Sequence, residues 1–326
     1  MAITGSANSI GAQSAVVLVN GAGGRELDTV HDLLTRALGT PAVLLNHRDL
    51  ARVPLSLDLA TGVLHVHGRR VRPVVVWARH TSAAALAVQV PGLRVLDAVS
   101  WSGLFTHLAA TADAALPGSA PAGPGQLTDA ERLGVRVPRT VLSTAPERDA
   151  GRVTAVRAVV KTQDFRLYEP DRRRWPGARP RLAGDAAGPD QGRPMVLQEY
   201  VAHVRELRVY YLNGGICAFE IDKPGPASPW TEPDRVTVTR VDCPAEARTA
   251  VGVLCAAWSL RFGAFDLLVS HTREVVFLEV NPDGDWLWFE HRARWHGVSF
   301  MAAVMVRELF IQGTSSGAHA DDHSTG

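Results

Sequence analysis

The sequence predicts a protein of α/β and α+β class built from three subdomains, and three features carry that expectation. The chain opens on an apolar strand, a glycine turn and a helix. An Ala-, Pro- and Gly-rich stretch breaks it between residues 110 and 125, and a hairpin bearing three oxygen-donor side chains lies near its C-terminal end. With 326 residues, 46% of them hydrophobic and 21% charged, the chain is long and apolar enough for more than one core.

Ala15 to Asn20 is an apolar β-like run, Gly21-Ala-Gly-Gly24 a turn, and Glu26 to Leu38 a helix-like segment. The glycines invite a dinucleotide-binding reading, but Glu26 stands where that fingerprint needs its third glycine, so a tight turn in an α/β layer is the better expectation. Further strands are expected at Ala42 to Asn46 and Val71 to Trp77, with a hairpin about Thr61-Gly62 leading into Val63 to Val66. Together these define an N-terminal α/β domain over residues 15–112, with a disordered segment 1–14 before it and a linker 113–125 after it.

Gln126 to Gly134 reads as a short helix closed by glycine, and it leads into a strand before Thr144. Arg157 to Lys161 and Met195 to Val201 are strands of the same subdomain, residues 126–205. Between them Asp164 to Arg193 is a long polar insertion, of the kind that is usually mobile or functional. The C-terminal subdomain, residues 206–312, begins with Glu206 to Tyr211 and Ile216 to Ile221, paired across an Asn213-Gly214 turn. Val251 to Leu260 is a helix, Gly297 to Phe310 a closing helix, and residues 313–326 a small, polar, disordered tail.

A net charge of +1 leaves no electrostatic footprint for nucleic acid, and no recognition helix, zinc finger or RNA-binding signature is present. Cys217, Cys243 and Cys255 are odd in number and lack metal spacing, so they read as reduced thiols. Met1 to Ala15 lacks a basic segment followed by an apolar core, and no run reaches membrane-spanning length; the expected location is the cytoplasm. Lys161 and Lys223 are the only lysines, which makes each conspicuous.

The hairpin is the most informative stretch. Phe262 to Ser270 and Glu274 to Asn281 are two apolar strands joined by a polar turn. If Val269 faces Val276, Asp266 lies opposite Glu279, and Asn281 follows on the same face because strand side chains repeat every second residue. Opposed carboxylates repel, so a positive ion between them is implied, and hard oxygen donors suit Mg²⁺. The plainer reading is a hairpin with a solvated acidic face.

Phe265-Asp-Leu267 and Phe277-Leu-Glu-Val-Asn-Pro282 resemble the metal-binding end of ATP-grasp carboxylate-amine ligases. The continuation Asp283-Gly-Asp-Trp-Leu-Trp-Phe-Glu290 resembles the ATP-grasp enzymes that mature ribosomally made peptides, the microviridin and graspetide group. So does Val74-Val-Val-Trp-Ala-Arg79 in the N-terminal domain. The resemblance implies an ATP-grasp fold: an N-terminal pre-ATP-grasp domain, a central nucleotide-covering domain and a C-terminal metal-binding domain. It implies ATP and Mg²⁺ as cofactors, with Asp266, Glu279 and Asn281 as metal ligands and the insertion after Lys161 closing over the phosphates. Lys161 resembles the central-domain lysine that neutralises a phosphate, and Gln198, Glu199, Tyr200 and Val201 lie on the hinge strand that reads adenine through backbone groups. Glu206 occupies the spacing of the ribose carboxylate. Arg208, two residues along the same strand, would share its face and bind a phosphate or the substrate carboxylate.

One departure stands out: Ala120 to Gln126 lacks the first nucleotide lysine that such chains usually carry before this helix, leaving Arg157 or an arginine of the insertion to supply that charge. Trp286 and Trp288 could line a peptide wall or fill the core, and His291 and His296 show no ligand pattern. The implied activity activates Asp or Glu side chains of a precursor peptide as acyl phosphates and closes them onto Ser, Thr or Lys as ester or amide rings. A ligase that adds a free amino acid, or an inactive peptide-binding module, are the alternatives. The partner implied is a precursor peptide, and the oligomeric state is left open, a homodimer included.

Overall fold

The computed structural model describes residues 11–21, 24–48, 50, 52–90, 92–121, 123–154, 157–162, 181–183, 192–225, 228 and 232–321. Strands β1 (Gln13–Asn20), β2 (Ala42–Asn46), β3 (Leu55–Leu57), β4 (Leu64–Val66), β5 (Arg69–Arg79) and β6 (Ala114–Leu116) form the first sheet, in the order β2-β1-β5-β4-β3 with β6 also on β5. β1 runs parallel to both β2 and β5. Ala15 to Val19 are fully buried, as expected of a central parallel strand covered on both faces. Helix α1 (Glu26–Asp32) widens into a π turn at Leu33–Ala37 and seats Leu27, Val30 and Leu34 on this sheet.

Two further helices, α2 (Ala83–Gln89) and α3 (Val95–Ala110), occupy a region to which the sequence reading assigns no element. Ser82 caps α2 by accepting a hydrogen bond from the Ala85 N–H at 3.2 Å. The first strand starts at Gln13, inside the segment expected to be disordered. The expected linker 113–125 is also partly ordered sheet, because the apolar Ala114–Leu116 adds to the free edge of β5 in parallel register.

The second sheet is antiparallel: β7 (Thr140–Ser143), β8 (Ala158–Thr162), β9 (Arg181–Leu182) and β10 (Met195–Glu199), ordered β7-β10-β8-β9. Helix α4 (Gly125–Arg132) precedes β7, and α5 (Pro146–Asp149) lies between β7 and β8. Most of the insertion from Asp164 to Arg193, expected to close over the phosphates, lies outside the described residues.

The third sheet is ordered β13-β12-β11-β14-β15, from β11 (His203–Leu212), β12 (Gly215–Asp222), β13 (Thr237–Val241), β14 (Phe262–Ser270) and β15 (Val275–Asn281). Its hairpin turns through Asn213 and Gly214, both at positive φ (47° and 103°), which is why that dipeptide suits a two-residue turn. Helices α6 (Ala245–Ala257), α7 (Leu287–Ala293) and α8 (Gly297–Asp321) pack on it. The tail expected to be disordered from residue 313 continues α8 to Asp321. Its polar side chains turn back onto the helix instead of competing with it: the hydroxyls of Thr314, Ser315 and Ser316 donate to the carbonyls of Phe310, Ile311 and Gln312. No helix among the described residues is long and apolar enough to cross a membrane.

Two contacts fix how the sheets meet. Trp77 of β5 is fully buried against Phe262 (4.9 Å between centroids) and Trp286 (5.8 Å), so the first and third sheets share one core. The amide of Gln126 in α4 brackets edge strand β15, donating to the Val280 carbonyl at 3.0 Å and accepting from the Val280 N–H at 2.8 Å. It pairs the edge as another strand would. The turn after β1 is equally tight: a Cβ on Gly21 would overlap the backbone carbonyl of His80. Gly21→Ala should therefore lower unfolding free energy by about 1–3 kcal/mol in a urea titration, since only backbone movement relieves the clash.

Candidate active site

The site grows from the register of β14 and β15. Val269 pairs with Val275, not with Val276 as the sequence suggests, because the reverse turn is one residue tighter: the Ser270 N–H donates to the Glu274 carbonyl, and Arg273 takes a positive φ. A bulge between Leu267 and Asp266 leaves Leu278 as the extra residue and restores the expected pairs, Asp266 with Glu279 and Ala264 with Asn281. The expected opposition of carboxylates is present although the premise for it was off by one.

Each charged residue nominated on this face has a partner. Arg208 lies opposite Asp266 across β11 and β14, with Nε 3.1 Å from Asp266 Oδ1 and its guanidinium 4.8 Å over the Phe289 ring. Lys161, at the end of β8, reaches across to Glu279 Oε2 at 3.2 Å. Lys223, just past β12, donates to Glu206 Oε1 at 2.6 Å. Both lysines of the chain thus stand among these carboxylates. The sequence flagged Lys223 only for scarcity and gave it no role.

Burial pushes Asp266 up to about 6; Arg208 and Lys223 pull it down, while Glu279 and Glu206 raise it further. Burial also works against the charge of Arg208, but Asp266, Tyr210, Glu279 and Asp285 outweigh it and hold its pKa above the ordinary value.

Beside these pairs an open cleft separates the second sheet from β15. Lys161, Thr162 and Val196 line one side, Leu278 and Glu279 the other, and Pro124 and Leu127 one end. Because of the bulge, Leu278 and Glu279 both reach this cleft although they are neighbours in a strand. Leu278 is a lining residue that period-two reasoning cannot find, and it packs with Val201, Leu268 and Val276. On the hinge, the Gln198 side chain is buried and donates to Thr140 Oγ1 at 3.0 Å, so it holds β10 to β7. Tyr200 stacks under Arg157 at 5.0 Å, and the Val201 carbonyl accepts from His203 Nδ1 at 2.8 Å. Trp286 is core, and its N–H donates to Ser299 Oγ at 2.9 Å; Trp288 is half-buried under Arg292.

A second cluster adjoins the first through the loop after β15. The Asn281 amide oxygen accepts from the Asp283 N–H at 3.2 Å, which turns the chain. The fully buried Arg79, at the end of β5, donates to the Asp283 carbonyl at 2.6 Å and to Asp285 Oδ1 at 3.0 Å. Glu26 Oε2 lies 3.5 Å from it, and its guanidinium covers the Trp286 ring at 4.8 Å. His80 follows at a left-handed φ of 54°, with Nε2 3.4 Å from Asp285 Oδ1 and Nδ1 3.9 Å from Asp283 Oδ2. Burial would raise the pKa of Asp285, but the His80 hydrogen bond and the charges of Arg79, His80 and Arg208 hold it to about 2; its side chain is 61% exposed, so these partners dominate.

No protein-family model and no curated protein matches the chain. Among solved structures, the ATP-grasp ligase PsnB, complexed with a phosphomimetic variant of its minimal precursor, Mg and ADP, aligns at a TM-score of 0.69 and 17% identity, covering 92% of this chain and 100% of that one. The macrocyclase MdnC from Microcystis aeruginosa, bound with precursor peptide MdnA, aligns at 0.68 and 18% identity over 91% of this chain and 100% of that one. A RiPP-associated ATP-grasp ligase of Chryseobacterium gregarium, in complex with ADP and a leader and core peptide, follows at 0.65 and 18%, over 91% and 97%. At these identities the likeness establishes the fold: this chain has the ATP-grasp fold.

The pKa of Asp266 gives a stability test. Its folded value near 6 exceeds the ordinary 3.8, so between the two the folded chain keeps a proton that the unfolded chain has lost. Its contribution to stability is therefore lost as pH rises from about 4 to about 6. Asp266→Asn mimics the protonated form, and without added metal at pH 7.5 the variant should be as stable as the parent or more so, by about 1–3 kcal/mol in urea.

Proposed function

We propose that this protein is an ATP-dependent ligase that converts an Asp or Glu side chain of a precursor peptide to an acyl phosphate and condenses it with a Ser, Thr or Lys side chain of the same peptide. The single observation that carries the reading is the set of three cation–carboxylate pairs, Lys161–Glu279, Lys223–Glu206 and Arg208–Asp266, gathered beside one cleft. As paired here they nearly cancel. Asp266, Glu279 and Asn281 fit a hard divalent ion: two carboxylates oppose each other, one of them raised by burial and by its neighbours, and hard cations favour oxygen donors. A bound Mg²⁺ would supply charge neutralisation for phosphoryl transfer. Among the described residues no three His, Cys, Asp or Glu side chains form a metal cluster.

Were that ion held by these carboxylates, Lys161 and Arg208 would be free to take anionic partners, Lys161 a phosphate and Arg208 a phosphate or the substrate carboxylate. Lys223 fills the role left open by the missing lysine near residue 120: it reaches the same carboxylate cluster from β12, and its charge is felt at Asp266. The backbone of 199–201 would take the adenine edge, with Leu278 against the base and Glu206 on the ribose. Peptide substrates accord with the neighbours PsnB and MdnC, each solved with a precursor peptide. A cytoplasmic setting supplies ATP and Mg²⁺ and suits three free cysteines.

Incubation with ATP, Mg²⁺ and a cognate peptide should release ADP and phosphate, and intact-mass spectra should show stepwise loss of one water per turnover. AMP and pyrophosphate, or a mass gain requiring an added amino acid, would overturn this reading. Glu279→Gln should lower ADP release by about a hundredfold or more while leaving the circular dichroism spectrum unchanged. Lys223→Met should raise the KM for ATP by about tenfold; an unchanged KM would remove Lys223 from the phosphate site.

A further inference from the structure

We propose that His80 is the general base that takes the proton from the attacking hydroxyl or amine, with Asp285 orienting its ring. This rests on the ligase reading above and adds the second half of the reaction, for which the phosphate-binding residues offer no base. An acyl phosphate is reactive enough to be attacked, but an aliphatic hydroxyl is a weak nucleophile until its proton is removed, and a lysine side chain attacks only as the neutral amine.

The geometry meets this need. His80 leaves the C-terminal end of β5, where ligands of open α/β sheets bind, and it holds a left-handed φ of 54° that a non-glycine residue rarely adopts. Such strain persists only where the surroundings enforce it and is concentrated at working sites. Here Gly21 enforces it: its N–H donates to the Arg79 carbonyl at 2.9 Å, and only its lack of a Cβ leaves room for the His80 carbonyl. Nε2 faces Asp285 Oδ1 at 3.4 Å, which sets the proton on Nε2 and leaves Nδ1 to accept. Nδ1 is 3.9 Å from Asp283 Oδ2, beyond hydrogen-bond range. Asp285 is kept ionised by Arg79 and His80 and is 61% exposed, so the imidazole–carboxylate pair opens to the solvent side. The charged groups around the ring are Arg79, Asp283 and Asp285.

The pair also has the right neighbour. Tyr210 stands two residues beyond Arg208 on β11, and its hydroxyl donates to the Asp285 carbonyl at 2.6 Å. Tyr210 thus ties the strand that carries Arg208 to the backbone of Asp285, whose carboxylate faces His80. In the step itself the nucleophile attacks the acyl carbon, the bond from that carbon to the phosphate oxygen breaks, and phosphate leaves with the electron pair. The proton of the nucleophile passes to Nδ1 of His80, which then releases it to solvent.

The test separates the two half-reactions. Asn tolerates a left-handed φ, so His80→Asn preserves the backbone, with His80→Gln as the second variant. Each is given ATP, Mg²⁺ and the precursor peptide, with hydroxylamine as a trap: it is a neutral nucleophile that captures an acyl phosphate without needing a base. We expect hydroxamate formation within about threefold of the parent, dehydrated peptide down by about a hundredfold, and partial rescue by added imidazole. Dehydrated product within about threefold of the parent in both variants would overturn the assignment. So would a parallel fall of hydroxamate and product, because His80 would then only position the loop. If the parent itself yields neither hydroxamate nor dehydrated peptide, the ligase reading fails, and this assignment with it.

Discussion

The opposition of Asp266 and Glu279 on adjacent strands is the constraint around which the cleft is organised. Two carboxylates facing each other in a half-buried sheet are unfavourable without compensating charge. Arg208, Lys161 and, through Glu206, Lys223 supply it, from the middle of β11, the end of β8 and just past β12. The Lys161–Glu279 pair joins β8 of the second sheet to β15 of the third, so there electrostatic compensation and the placing of one sheet over another are the same event. A cation bound between the carboxylates would free the side chains that bridge the sheets.

Arg79 does comparable work on the other side. Carrying a guanidinium to full burial is tolerable only with several acceptors, and it finds them in the Asp283 carbonyl, Asp285, the nearby Glu26 and the Trp286 ring. The loop that leaves β15 is thereby tied to the first sheet. Trp77, two residues earlier on the same strand, lies on the same face and joins the shared aromatic core, against the Trp286 ring that the Arg79 guanidinium also covers. One strand thus positions the site with one residue and anchors the domain with the other.

Much of this was legible in the sequence wherever periodicity and turn chemistry agreed. The Asn213-Gly214 hairpin, the β1-turn-α1 unit and the pairing of Asp266 with Glu279 all follow from local rules. The misses have physical causes. Short apolar segments such as Ala114–Leu116 become strands only because a neighbouring edge is free, and nothing local announces that edge. The bulge at Leu278 breaks the alternation on which facing was argued, so a cleft residue escaped notice while a wrong turn register still led to the right carboxylate pair. Lys223 lies past a strand end, where no period assigns a direction. Trp286 was weighed as peptide wall or core, and burial settled it as core, since aromatic spacing alone cannot distinguish a wall from an interior.

The scarcity of lysine has a practical side. Apart from the chain's α-amino group, the only primary amines are those of Lys161 and Lys223, and both sit among the carboxylates of the cleft, 14% and 17% exposed. Amine-directed reagents, whether acylating labels, bifunctional cross-linkers or the acetyl donors of a living cell, therefore find no harmless target on a surface whose basic residues are all arginine. Every side-chain amine they modify removes a charge that compensates one of these carboxylates, and the extent of labelling would report on how far those ion pairs are opened.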